Sequence, residues 1–283
     1  MKSRRQFVKL AGTGILAAGV GSAYAYPSIS GRKSGSSEGA KDLFKIGIAG
    51  YTFLQVPVER AIEIMKRVDV TNMSIKDFYM PMNSTQETIS SVMNTFKTAG
   101  INVYGAGVVY MKNEGEVDQA FEYAKMAGIK IIIGAPNYEL LPYVETKVKQ
   151  YDFKVAIHNH GPDNPLYPNA TDIWEHIKDM DPRMGICLDI GHTVRDGHDP
   201  SLDARRYASR LFDIHMKDVS SASKAGRTVE MGRGVIDIPD FVAAIRKIKY
   251  SGMCSLEFEK DMKDPLAGIA ESIGYFKGVL AAE

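Results

Sequence analysis

Cysteine is nearly missing from this chain: 2 among 283 residues, alongside one tryptophan and 6 histidines. So few thiols exclude a disulfide-stapled framework and an all-cysteine zinc site. Cys187 and Cys254 fall in runs that read as strands, where a thiol serves as a small apolar residue. An excess of one charge is missing too. The 35 basic and 34 acidic side chains leave a formal net charge of +1, which offers no electrostatic footprint for nucleic acid. Beyond the N-terminus no stretch approaches the roughly 20 apolar residues of a membrane-spanning helix. Nor does a Gly-x-Gly-x-x-Gly turn follow the first strand, where Gly47-Ile48-Ala49-Gly50-Tyr51-Thr52 matches poorly. A doubly wound dinucleotide-binding sheet is weakened accordingly.

What the chain does have begins with a targeting pattern. Ser3-Arg4-Arg5-Gln6-Phe7-Val8-Lys9 resembles a twin-arginine export signal, followed by a Gly/Ala-rich apolar run and Ala23-Tyr24-Ala25 as a cleavage site. The expectation is a signal peptide over 1–25, a flexible Ser/Gly/Lys linker over 26–41 and a single domain over 42–283. The exported chain would be periplasmic, without stable membrane insertion once the signal is removed. No cysteine follows the cleavage site to take a lipid anchor.

From Leu43 onward short β-rich runs alternate with helical segments. Strands are expected at 44–50, 71–76, 102–107, 129–134, 153–158, 184–189, 211–215 and 253–257. Several are continuous apolar runs, as suits strands buried on both faces. Between them, Pro57 opens a helix of apolar residues at helical spacing. Ser84-Thr85-Gln86-Glu87 reads as a capping box for a helix that stops near Gly100. Segments 117–127, 140–149, 171–178, 202–208, 239–249 and 265–280 complete the set. Eight strand–helix pairs over about 240 residues predict an α/β fold of the (β/α)₈ barrel type.

In such a barrel the reactive groups stand at the C-terminal ends of the strands. Four successive runs end on polar residues. They are Ile157-His158-Asn159-His160, Leu188-Asp189-Ile190-Gly191-His192, Ile214-His215-Met216-Lys217-Asp218 and Leu256-Glu257-Phe258-Glu259. A buried apolar strand has no structural need to finish in this way. Taken singly, His158 or His160 also reads as a capping or loop residue, Asp189 or Asp218 as a helix cap, and Glu259 as a solvated rim residue. Together the tips offer a His/Asp/His/Glu donor set, which suits Mn²⁺, Zn²⁺, Co²⁺ or Fe²⁺ better than Ca²⁺.

These four runs, with Gly232-Arg233-Gly234-Val235-Ile236-Asp237, resemble the xylose-isomerase-like superfamily of sugar phosphate isomerases and epimerases. That superfamily includes tagatose/psicose 3-epimerases, inosose dehydratase and, more distantly, endonuclease IV. The resemblance covers essentially the whole chain after the signal. It implies one divalent metal ion (Mn, Zn, Co, Fe or Mg) held by strands five to eight, with Asp189, His215 and Glu257 as ligands. The family's strand-five glutamate is His158 here, inside Ile-His-Asn-His where the pattern reads Ile-Glu-Asn-His. Either His158 or His160 is then the strand-five ligand. In the epimerases both glutamates also move protons on opposite faces of the sugar, so the substitution removes one of those bases. His160 or Lys217, with Glu257, is left to handle the proton.

The expected activity is a metal-dependent sugar isomerase or epimerase acting through an enediolate on a small carbohydrate. Lys76, His192 and Arg233 are the candidate substrate-binding residues. The alternatives are a lyase or hydratase on a keto-sugar or 3-keto-glycoside, and a non-catalytic periplasmic carbohydrate-binding protein. Tyr79, Tyr110 and Tyr138, near the strand tips, would stack on a sugar or pack a homo-oligomer. His176 and His198 read as ordinary surface or packing residues.

Overall fold

The computed structural model describes residues 42–282. The signal and linker expected over 1–41 lie outside the described residues, as does Glu283. Eight parallel strands close into one barrel: β1 (Lys45–Ile48), β2 (Asn72–Ile75), β3 (Asn102–Met111), β4 (Ile131–Pro136), β5 (Lys154–His158), β6 (Met184–Asp189), β7 (Leu211–Met216) and β10 (Met253–Leu256). Each pairs with its neighbours in sequence, and β1 closes on β10. A two-stranded antiparallel hairpin, β8 (Asp218–Val219) with β9 (Thr228–Val229), stands outside this ring.

The surrounding helices are α1 (Val58–Arg67), α2 (Gln86–Thr98), α3 (Glu114–Met126), α4 (Leu141–Tyr151), α5 (Ala170–Ile177), α6 (Ile190–Arg195), α7 (Pro200–Arg206), α8 (Ile238–Lys247) and α9 (Leu266–Ala282). Their ends follow local chemistry. In α1 the first turn carries Glu59 and the last Lys66 and Arg67, each charge complementing the helix dipole. Asn113, Asn169 and Asp237 cap α3, α5 and α8 by accepting from a backbone N–H three residues on. The cap of α2 is Thr85, which accepts from Thr88 N at 3.3 Å. The N-cap therefore lies one residue after Ser84, and the expected capping box with Glu87 is not formed.

The core fills the barrel and the space under the helices. Every residue of β6 is buried, and the Ile132–Pro136 part of β4 likewise. Polar side chains enter the barrel interior as well. Tyr104 OH donates to Asp213 Oδ2 at 2.8 Å and lies 2.8 Å from Ser255 Oγ, joining β3, β7 and β10. Burial raises the Asp213 carboxyl to about 6 and holds the Tyr104 phenol well above its usual range.

All eight expected strands are present. Three local features differ from the sequence reading. Strand β3 runs on to Met111, four residues past the expected end at Gly107. Helix α6 follows β6 with no intervening loop. The β8–β9 hairpin occupies a stretch to which the sequence assigned no element. The last two lie at the strand tips, where they shape the site.

Candidate metal centre at the strand tips

Four neighbouring strands deliver one polar side chain each to the same point. His158 ends β5, Asp189 ends β6, His215 is the penultimate residue of β7, and Glu257 directly follows β10. All four are 0–3% exposed. One donor atom from each lies within 4.8 Å of those of the other three. His158 Nε2 is 3.1 Å from His215 Nδ1, 3.7 Å from Asp189 Oδ2 and 3.8 Å from Glu257 Oε2. His215 Nδ1 is 3.2 Å from the same Glu257 oxygen.

These spacings fit a shared cation. Ligands about 2.1 Å from a tetrahedral ion stand roughly 3.4 Å apart, and the measured separations straddle that value. Asp189 Oδ2 is buried and makes no well-aligned hydrogen bond. The Lys217 ammonium 3.0 Å away supplies part of the positive charge that a carboxylate out of water needs, and the cluster leaves the same oxygen free to share a cation. A competing set, His158, Cys187 and His215, shares both imidazoles. Burial pushes the Cys187 thiol up to about 12, so the carboxylates are the better donors at neutral pH.

Asp189 holds two jobs at once. Its Oδ1 accepts from His192 N at 2.7 Å and caps α6, leaving Oδ2 for the cluster. Its backbone is pinned from β5: Asp189 N donates to Asn159 Oδ1 at 2.8 Å, and Asn159 Nδ2 donates to Asp189 O at 3.2 Å. Gly191, in the first turn of α6, packs directly on Lys217. A Cβ there would meet Lys217 Cγ at 2.7 Å and Lys217 O at 2.9 Å, so only glycine lets the helix approach this closely.

Lys217 is 1% exposed, and its ammonium lies 2.9 Å from Glu257 Oε2, 3.0 Å from Asp189 Oδ2 and 3.3 Å from Glu259 Oε2. Burial opposes a charged lysine, but the three carboxylates raise it well above its ordinary value. In return Lys217 and His215 hold Glu257 well below the usual carboxylate range, against burial. The Lys217 ammonium offsets one of the two ligand carboxylates, Asp189 and Glu257, and leaves net negative charge for a cation to meet. In the metal-free site protons take that place. Burial works against a charged His158, yet hydrogen bonds and charge from Asp189 and Glu257 raise it to about 9. A bound ion requires the neutral imidazole.

Above the cluster lies a cavity of about 230 Å³, lined among others by Tyr51, Lys76, Tyr110, His160, His192 and Glu259. His160 Nε2 is 2.8 Å from Tyr110 OH, and its buried Nδ1 lacks a partner. Burial, reinforced by His158 and His192, lowers His160 to about 3, and burial with the Lys217 charge does the same to His192. Both rings are neutral at physiological pH. Burial raises Glu259 above the ordinary carboxylate range, only partly offset by Lys217. Lys76 donates to Val108 O at 2.7 Å at the cavity wall.

The structure thus brings His158, His160, Asp189, His192, His215, Lys217, Glu257 and Lys76 to one place. It does not bring Arg233 there. That side chain is 61% exposed and pairs with Glu271 on α9. Of the three tyrosines, only Tyr110 lines the cavity. Tyr79 donates to Val56 O at 2.5 Å and Tyr138 to Asp172 Oδ2 at 2.7 Å. Asp218 is a loop anchor, its carboxylate accepting from Gly232 N and Gly234 N at 2.9 Å each. Tyr51 enters the site without having been singled out in the sequence, and Glu259, weighed there as a rim residue, lines the cavity too. Alternation after β10 would turn Glu257 and Glu259 to the same side, a signal that reading Glu259 as a rim residue passed over.

A family model described as a xylose isomerase-like TIM barrel matches residues 112–279, more than half of the chain. The chain belongs to the xylose isomerase-like TIM barrel family. Among its relatives, inosose dehydratase from Lacticaseibacillus casei is 25% identical over 130 residues, covering 41% of this chain and 43% of that protein. The chain spans about half, or less, of the length of the curated relatives it matches. Among solved structures, an uncharacterized protein from Parabacteroides distasonis superposes with a TM-score of 0.66 at 25% identity, covering 83% of this chain and 99% of that one. The IolI protein, solved with a bound zinc atom, superposes with a TM-score of 0.66 at 15% identity over 84% of this chain and 97% of that one. This last likeness is one of fold. Among the described residues no helix is long and apolar enough to cross a membrane.

Proposed function

We propose that this chain is a divalent-metal-dependent enzyme that enolises a keto-sugar or related small carbohydrate and then expels a β-hydroxyl as water. The observation that carries this reading is the buried His158–Asp189–His215–Glu257 cluster at the base of a cavity of about 230 Å³. Those four residues would hold the ion. When bound, it supplies Lewis acidity to a carbonyl oxygen and its neighbouring hydroxyl, which acidifies the adjoining C–H.

The chain's own groups then divide the proton work. His160 is a neutral imidazole beside the cluster. Its ring lines the cavity and bonds Tyr110 OH through Nε2, and it is the imidazole that would take the α-proton. Lys217 keeps Asp189 and Glu257 anionic. Glu259, inclined by burial to keep its proton, gives it to the departing hydroxide, so that the C–O bond breaks and water leaves. His192 and Lys76 offer hydrogen bonds to the remaining hydroxyls.

Elimination is favoured over epimerisation by the imidazole at position 158. An epimerase must deliver protons on both faces of one carbon, whereas elimination needs one base and one acid. The likeness to inosose dehydratase supports the same choice. Isomerisation or epimerisation is the second reading, supported by Glu259 lining the same cavity as His160, where it would return a proton to carbon instead. The Arg4-Arg5 motif further supports placing the reaction in the periplasm.

The test is incubation of metal-loaded protein with ketoses and 3-keto-glycosides in D₂O. An unsaturated product is expected. Deuterium wash-in without loss of a hydroxyl selects the second reading. Absence of exchange with every substrate overturns both.

A further inference from the structure

A second cavity, of about 310 Å³, adjoins the metal centre and shares His192, Lys217 and Glu259 with its surroundings. Its remaining charged lining is Arg195 on α6, Arg227 before β9 and Lys260 beyond β10. Four cationic side chains therefore face one carboxylate. Three of the four are already engaged by acids. Lys217 meets Asp189 and Glu257, Lys260 meets Glu230 at 2.7 Å, and Arg195 pairs with Asp163.

Two donors remain. The Arg227 side chain has no hydrogen bond or ion pair among the described residues. Arg195 is held by Asp163, by Lys224 O at 2.9 Å and by His192 Nδ1 at 3.1 Å, yet its Nε–H is buried without an acceptor. A solvated surface arginine needs no explanation. A buried guanidinium N–H without a partner does, because it forgoes hydrogen bonds it would make in water. Both terminal nitrogens of Arg195 are engaged, whereas Arg227 offers its donors in the fixed fork that matches carboxylate or phosphate oxygens.

We propose that this cavity is an anion subsite, and that the substrate is an acidic carbohydrate. Its carbonyl end reaches the metal centre, and its carboxylate or phosphate lies between Arg195 and Arg227. The inference rests on the proposed function for the metal end of the substrate, but the anion site stands on its own donors. It distinguishes this enzyme from one built for a neutral monosaccharide, for which the second cavity would have no ionic role.

Calorimetric titration at low ionic strength tests the proposal, using the full metal-loaded chain with inorganic phosphate and with D-glucuronate as probes. Wild-type protein is expected to bind at least one of them, and the tighter arm identifies the head group. Arg227→Gln, an exposed substitution, should weaken that binding about tenfold. Lys97→Gln, on a groove lined by α2 and α3 residues, should leave it unchanged. Both variants keep the metal, so a difference between them cannot arise from anion ligation to the ion. Binding of neither probe, or equal binding to wild type and Arg227→Gln, overturns the subsite. Failure of the catalytic reading shows up separately, as absence of deuterium exchange in wild-type protein whose anion titration still responds to Arg227.

Discussion

Lys217 Nζ stands 2.9 Å from Glu257 Oε2, with the lysine side chain 1% and the glutamate 4% exposed. An ion pair this deep sustains itself only as part of a larger network, because desolvation of the two charges consumes most of their attraction. Here Asp189 and Glu259 extend the network. Lys217→Met removes the ammonium and leaves the carboxylates facing one another. The expected loss is about 3–5 kcal/mol in metal-free protein, partly restored by added Zn²⁺ or Mn²⁺. Thermal melts with and without the ion measure both effects, and a melt unmoved by the substitution contradicts the charge balance.

Asp189 separates structure from chemistry through its two oxygens. Asparagine retains the helix-capping acceptor for His192 N but gives up the anionic donor, whereas alanine loses both. Asp189→Asn should fold with near-native stability and fail to retain stoichiometric metal by elemental analysis, with activity reduced at least about 100-fold. Asp189→Ala should show the same metal loss and a further destabilisation of about 1 kcal/mol. Equal stability of the two variants would show that the cap contributes nothing.

Protons and metal compete for the same lone pairs. Hydrogen bonds and charge from Asp189 and Glu257 overcome burial to raise metal-free His158 to about 9. Because that pKa is raised, the proton is bound below about pH 9 and must leave when an ion enters. Metal affinity should therefore rise with pH, by up to about tenfold per unit for each proton released, and flatten above pH 9. Competition titrations against a chelator of known proton affinity would reveal the slope. A flat profile from pH 6 to 9 would count against imidazole ligation.

Arg233 serves as the control. Its guanidinium pairs with Glu271 on the outer face of the chain. Arg233→Ala should leave KM and kcat within roughly twofold of wild type, as expected of an exposed ion pair. A tenfold rise in KM would mean that the loop after Gly232 swings inward during turnover.

The sequence determined the strand tips. Apolar runs such as Lys130-Ile131-Ile132-Ile133-Gly134 and the polar endings at His158, Asp189, His215 and Glu257 are local patterns. A parallel barrel converts them into one cluster by geometry alone, since every strand points its C-terminal end to the same face. Only the tertiary structure decided the rest. Arg233 sits in a Gly-Arg-Gly turn that reads as a substrate loop, but its partner is 38 residues away on α9. Tyr51 and Glu259 belong to the first and last strand ends, which become neighbours only when β1 closes on β10. Asp189 reads as either cap or ligand, and the folded chain makes it both because its two oxygens face different elements. Pattern along the chain fixes which residues reach the rim. Contacts between residues distant in sequence fix which of them meet, and those depend on packing that no local stretch encodes.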